Sequence, residues 1–497
     1  MGAVERRAHW WSTVGAVAVV SLGCATPAIA AAQQVDVGAP APAPDANNTQ
    51  VPAPKAADDA VTEQAPTGSV TDTQHRVRSR VGPVRDTSPS ALIGDTQGSP
   101  PPGLIGDWQK IRSRLGEGGI GLSARYASES GYNVAGGERK LWRETGQLDA
   151  GVLLDLEKVA GLQGGAFQAT VTWRRGRDLG ADAGLGTLQQ VQEVYGRGQT
   201  VRLTQFWYEQ RIGERVEVKL GRTNPGEDFA VFSCHFQNLS FCGAQPGNLN
   251  GDYWQNWPVG QWGARVRVDL PGDLYVASAV YEVNPRNLDD NFFLWRLHGA
   301  TGVLIPAELG WVRGGDGGSV GSYKVGGWLS TADGDDVLLD RNRGASVVTG
   351  VSPLRRSSRY GVYVAVQQQV TGQSKDGKSL AGLNVFLNVT QADRKTSVTD
   401  NQVSAGLFYK GLFPALPGDV LGFAVARTNV NGRAARGDTL IPGTPVRDAE
   451  YASELYYSLH PLDWLELQPN VQYIHHPGGI RAADDVAVLG LKAALVL

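Results

Sequence analysis

The stretch LELQPNVQYIHHPGG, residues 465–479, decides how the rest of the chain is read. For nine residues it alternates without a break, with Leu465, Leu467, Pro469, Val471 and Tyr473 on one side and Glu466, Gln468, Asn470 and Gln472 on the other. A period of two is a strand. In a soluble sandwich the apolar row would be the core, whereas in an outer-membrane barrel it would face lipid and the polar row would line the interior. Pro469 removes a ladder hydrogen bond in mid-strand, so a bulge or a strand end is expected beside it.

The same alternation recurs through residues 118–497. In FQATVTWR, Phe167, Ala169, Val171 and Trp173 oppose Gln168, Thr170, Thr172 and Arg174. In QWGARVRVDL, Trp262, Ala264, Val266 and Val268 oppose Gln261, Arg265, Arg267 and Asp269. Similar stretches lie near 119–126, 151–156, 200–211, 215–221, 274–282, 302–312, 322–330, 358–369, 381–390, 402–411, 419–427, 451–459 and 486–497, about sixteen strands in all. Their connections sort by length. VAGLQGG before Ala166, Gly213–Glu214, Pro271–Asp273, Pro414–Asp419 and His460–Asp463 carry the Gly, Pro and Asp of tight turns. Between them lie long connections at 127–150, 175–199, 222–260, 283–301 and 428–450. Short turns at one end and long loops at the other are the habit of a transmembrane barrel, and a sandwich has no reason to sort its loops this way. Tyr126, Trp173, Trp207, Trp262, Trp311, Trp464 and Tyr473 near strand ends fit an interfacial girdle.

The net charge is only -3 over 497 residues, so no basic or acidic excess points to nucleic acid or to an acidic partner. Arg6 and Arg7, an apolar run from Val14 to Leu22, and AIA at Ala28–Ala30 form a secretory signal, residues 1–30. A lipoprotein site at Cys24 fits less well, because Ser21 stands where a large aliphatic residue is usual. Residues 31–103, rich in Pro and Ala, have almost nothing to bury and read as a disordered linker. The barrel domain is then 104–497. No run of about 18 apolar residues follows the signal, which excludes a spanning helix and leaves a spanning barrel open.

Cys234 and Cys242, in CHFQNLSFC, are an exported pair at close spacing, most simply a disulfide. A metal site there would have only His235 as a third nearby ligand, and no metal or other cofactor is expected. No Gly-x-Ser-x-Gly, His-Glu-x-x-His or phosphate loop occurs in a setting where it would work, so no enzyme is expected. His475 and His476 are strand neighbours pointing to opposite faces and read as turn chemistry beside Pro477.

The phrases GDWQKIRSRLGEGGIGLSARY, LDLEKVAGLQGGAF, RLTQFWYEQRIGERVEVKLGRTNPGEDF, WPVGQWGARVRV, YKVGGWLS, GVYVAVQQQV and ELQPNVQYIHHPGG together resemble the carbohydrate-selective porin family, OprB type. The resemblance spans about residues 106–497. It implies a sixteen-stranded all-β outer-membrane barrel, a short N-terminal helix before it, and passive diffusion of sugars or polyols into the periplasm. Outer-membrane lipids would be its surroundings, and a homotrimer is compatible with the class. The last strand ends in Leu497 where such barrels usually end in an aromatic, so assembly is expected to be slower or differently read.

A sugar needs hydrogen-bonding forks, amides and carboxylates for its hydroxyls and aromatic faces for its ring. By strand parity the inward set is Arg125, Arg174, Arg202, Phe206, Tyr208, Lys219, Arg265, Arg267, Glu466, Gln468 and Gln472. The loop 222–260, with Arg222, Asp228, Trp254, Trp257 and the cysteine pair, would narrow the channel if folded inward, or cap it as an external lid. The inward arginines equally suit an anion-preferring or general diffusion pore. A barrel hydrolase is the alternative from another class.

Overall fold

The structure, a computed structural model, describes residues 103–107, 110–232, 234–295, 297–313, 319–375, 378–413, 415–416 and 418–497. The expected signal, residues 1–30, and the linker up to residue 102 lie outside the described residues.

After a helix at Ile111–Glu117, the wall consists of β1 (Ile120–Ala135), β2 (Trp142–Asp155), β3 (Gly165–Gly176), β4 (Val201–Ile212), β5 (Val216–Thr223), β6 (Gln261–Leu270), β7 (Leu274–Val283) and β8 (Gly302–Arg313). It continues through β9 (Gly321–Ser330), β10 (Arg359–Gln369), β11 (Lys378–Ala392), β12 (Thr399–Lys410), β13 (Val420–Val430), β14 (Ala449–Leu462), β15 (Leu465–His475) and β16 (Val486–Val496). Each strand runs antiparallel to the next, and β1 returns to pair with β16, from Arg125 opposite Val496 to Asn133 opposite Val488. The sheet thus closes and leaves no edge. Its seventeenth strand is the three-residue stretch Gln373–Lys375, an extension between β10 and β11.

The faces sort as the alternation predicts. On β15, Glu466, Gln468, Asn470 and Gln472 are buried inside, while Pro469, Val471 and Tyr473 are exposed on the outer face. No bulge accommodates Pro469. Its ladder to β16 is continuous, and bridging to β14 pauses between Asn470 and Leu467, where the missing N–H would have donated.

Three expectations need correction. First, 127–150 is not a long connection: β1 and β2 pair through it, and only residues 136–141 turn, at Gly136 and Gly137 with φ of 68° and 74°. Alternation fails there because both faces become polar: Ser128, Ser130 and Glu144 point outward, while Glu129, Thr145 and Gln147 point inward. Second, a β-bulge where Thr170 and Val171 face Gln205 and Leu203 inserts Thr204 and reverses the parity of β4 beyond it. Phe206 and Tyr208 therefore lie on the outer face, where Phe206 packs edge-on against Phe167 at 5.2 Å. Gln205, Trp207 and Glu209 take the inward places, which also removes Trp207 from any girdle. Third, 331–358, which the alternation left unassigned, is a long connection holding a hairpin of Gly334–Asp340 with Pro353–Arg356.

Candidate functional site

Two long connections fold into the barrel, 177–200 as well as 224–260. They are joined to each other: Glu193 N donates to Gln237 O at 3.0 Å, Leu239 N to Gln190 O at 2.9 Å, and Arg197 Nη1 to Gly251 O at 2.8 Å. Between them they bring Leu179, Leu185, Val191, Phe232, Phe236 and Phe241 against an apolar patch of the inner wall that includes Phe386, Phe408, Tyr456, Ile474, Val486 and Val488. A second seat takes Phe229, Tyr253 and Trp254 against Tyr281, Leu304, Trp328 and Tyr363. The inner face of β7–β16 is therefore largely a bed for loops. The inward polar side chains that keep access to water, Ser123, Arg125, Gln168, Arg211 and Asp269, come from β1–β6, with Gln367 on β10.

This arrangement places the predicted residues as follows. Arg174 points inward but is buried, its Nε donating to Gln147 Oε1 at 2.6 Å and its Nη1 to Gly196 O at 3.1 Å; Asp178 is not its partner. Arg202 clamps main-chain carbonyls, those of Asn287 at 3.1 Å, Asp289 at 2.7 Å and Arg197 at 2.9 Å. Arg265 sits among three carboxylates, Glu209 at 3.0 Å, Asp228 at 2.6 Å, and Glu217. Lys219 reaches the same Asp228 at 2.9 Å, and Tyr281 donates to it at 2.7 Å. Arg267 pairs with Asp269 at 2.9 Å and lies over the Tyr275 ring at 3.6 Å. Arg125 faces inward, half-exposed, directly across the ladder from Asp149.

Glu466 and Gln468 are inward and buried, Glu466 accepting from Ser458 and Gln468 donating to His235 O at 2.8 Å. The Asp228 side chain is buried between Lys219 of β5 and Arg265 of β6. Trp254 does not present a face to water: it is completely buried, edge-on to Trp328 at 5.4 Å. Trp257 remains half-buried. Arg222 is not in the constriction. It is registered opposite Phe206 and Trp262 on the outer face, under the connection 284–301, where it meets Asn287 Oδ1 at 3.1 Å. Parity from Lys219 could have found this. Cys234 and Cys242 are bonded, with Cα atoms 4.3 Å apart and Glu193 close by. His475 bonds Asp485 at 2.8 Å in the last turn.

Sequence reasoning missed Lys492. It is the one charged residue of β16, completely enclosed and paired with Glu129 at 3.1 Å and Glu193 at 3.2 Å, and it also donates to Phe236 O at 3.2 Å. A lysine in the inward row of an otherwise apolar last strand was the available signal.

A closed sixteen-stranded wall with loops folded into its bore defines a porin. The model of the carbohydrate-selective porin, OprB family, matches residues 139–497, and the chain belongs to that family. It is 41% identical over 414 residues to Porin B of Pseudomonas aeruginosa, covering 79% of this chain and 91% of that protein. It is 34% identical to the putative porin QuiX of Acinetobacter baylyi, covering 79% and 92%. A solved structure of Pseudomonas putida OprB at high pH superposes with a TM-score of 0.76 at 38% identity, over 80% of this chain and 99% of that one. The protein is thus an outer-membrane carbohydrate porin.

Proposed function

We propose that the solute path runs between the two inward loops and the β1–β6 wall, and that it favours neutral sugars or polyols over anions. The supporting observation is that the inward cations are compensated. Arg265, Arg267, Lys219 and Lys492 each meet carboxylates, and Arg174 and Arg202 are engaged by amide and carbonyl oxygens. A path lined by paired charges offers many donors and acceptors with little net field. Arg125, with Asp149 opposite, is the guanidinium a sugar would meet; Arg174 stands behind it, bound through Gln147 to Asp149. The anion-preferring reading keeps one supporting observation, the half-exposed Arg125 itself.

Conduction without catalysis belongs to the same proposal, supported by the family being one of channels. So do a signal at residues 1–30, a linker at 31–103 and a homotrimer, which rest on the sequence pattern and the class of barrel. N-terminal sequencing of the exported protein and its native mass in detergent decide those. For the path, proteoliposome swelling with sugars and amino acids of matched size, alongside reversal potentials in salt gradients, is the test. Equal permeation of the two solute sets refutes sugar preference, and strong anion preference without sugar block of the current favours the rival pore.

A further inference from the structure

We propose that Glu450 and Glu454 of β14 are positioning residues that together gauge the pore, each clamping one of the two constriction loops by consecutive main-chain N–H groups. Glu450 accepts from Leu188 N at 2.6 Å and Gln189 N at 3.3 Å, in the 177–200 loop, and from Gly478 N at 2.9 Å in the last turn. Glu454 accepts from Gln237 N at 2.9 Å and Asn238 N at 2.7 Å, in the 224–260 loop. Their exposures are 2% and 1%. They are four residues apart on the inward row of one strand, which sets the two grips about 13 Å apart along a rigid wall. β14 thus acts as a ruler between the loops.

The chemistry of the grip is specific. A carboxylate with two oxygens matches two adjacent N–H donors, and a charged acceptor is about twice as strong as a neutral one. Among the described residues no ion pair reaches Glu450, whose neighbours on β13 and the last turn are Thr428 and Gly478, so its charge is held by main-chain dipoles alone. Glu454 has Lys492 and Glu193 as charged neighbours, with Glu129 beside them. The grip reads backbone, so it fixes where each loop runs without touching the solute. This rests on the reading that the two loops bound the solute path.

E450Q and E454Q keep size and one acceptor oxygen but lose the charge. In proteoliposome swelling we expect each to raise the rate of a disaccharide relative to a monosaccharide, with current flicker about tenfold more frequent, the shift expected from loss of one charged hydrogen bond. Acidifying the wild type toward roughly pH 4, where carboxylates protonate, should move its ratio in the same direction, and the double variant should respond less. Acid also reaches Glu129, Glu193 and Glu308, so the Gln variants carry the attribution. Wild-type ratios and pH profiles in heat-modifiable, assembled variants overturn the proposal. If neither variant assembles, a wild-type ratio that stays flat on acidification overturns it and a rising one supports it. The monosaccharide preference of the wild type is measured separately, so its failure is distinguishable from failure of the clamps.

Discussion

The two walls that face the 224–260 loop hold it by different chemistry. On β4–β8 ion pairs to a loop side chain lead: Arg265 and Lys219 converge on Asp228 and Tyr281 joins them, while Glu308 accepts from Ala230 N at 2.8 Å and Gln261 donates to Tyr253 O at 3.1 Å. On β14–β16 the charged grips are on main chain, with Glu454 taking two N–H groups and Lys492 donating to Phe236 O, beside Gln468 donating to His235 O and the amide pairs Asn470–Gln237 and Gln472–Asn238. The first wall neutralises charge, and its cohesion depends on every member being present. The second wall fixes a path in space, holding consecutive peptide groups of His235–Asn238.

The comparison breaks most decisively at Arg265. Replacing it by Ala removes the guanidinium that Glu209, Glu217 and Asp228 share, and removing one partner of a buried pair costs about 3–5 kcal/mol. The folded band on unheated gels should convert at a clearly lower temperature, and an unchanged transition means the network is solvated. Next in size is the loop's own tether. Cys234→Ser with Cys242→Ser releases a ring of about nine residues, worth roughly 2.6 kcal/mol by loop entropy. Because the β14–β16 grips fall within that ring, at His235–Asn238, and hold it without the tether, we expect weaker sugar block of single-channel current in a barrel of nearly unchanged thermal transition. A collapse of the transition instead would show that the tether carries the loop.

A smaller effect separates Arg125 from Arg174. Arg125→Ala should weaken sugar block by about 1 kcal/mol or more, the worth of a charged hydrogen bond, and Arg174→Ala by less, acting only through Gln147 and Asp149. Equal loss in both would return Arg174 to the path. The smallest effect is a control outside both walls. Asp336, in the external hairpin, is enclosed, which alone would raise its carboxyl. The amides of Leu338 and Leu339 with Arg356 and Arg433 outweigh this and hold it at about 2. Its contribution is therefore present above the usual carboxylate range and lost only as pH falls through about 2. Pepsin cleavage within 331–358 should stay slow at pH 4 and accelerate near pH 2, and in Asp336→Asn it should be fast at both.

Much of the wall was legible because a barrel strand carries its own instructions. The outward apolar row on β15 and the inward Arg265 and Arg267 on β6 follow from a period of two and nothing else. Phe206 and Tyr208 were misplaced because one inserted residue at Thr204 flips every side chain beyond it, and no local composition marks that insertion. The loops were legible only as lengths. That Trp254 seats against Trp328, or that residue 188 meets residue 450, depends on contacts between distant stretches, and the inner wall hides them because Phe386 and Phe408 look like any strand aromatics.

The start of the described chain bears on the order of events in time. Leu104 N donates to Val496 O at 2.8 Å, and Gly103 lies so close to Leu497 that an added Cβ would sit 2.4 Å from its carbonyl oxygen. A side chain at residue 103 would force the two apart. The seam between β1 and β16 joins stretches more than 350 residues apart, and closing so long a loop is the slow kind of step in folding. A chain still emerging therefore cannot finish its wall, and the strap at 103–104 finds its partners only once Val496 and Leu497 have arrived.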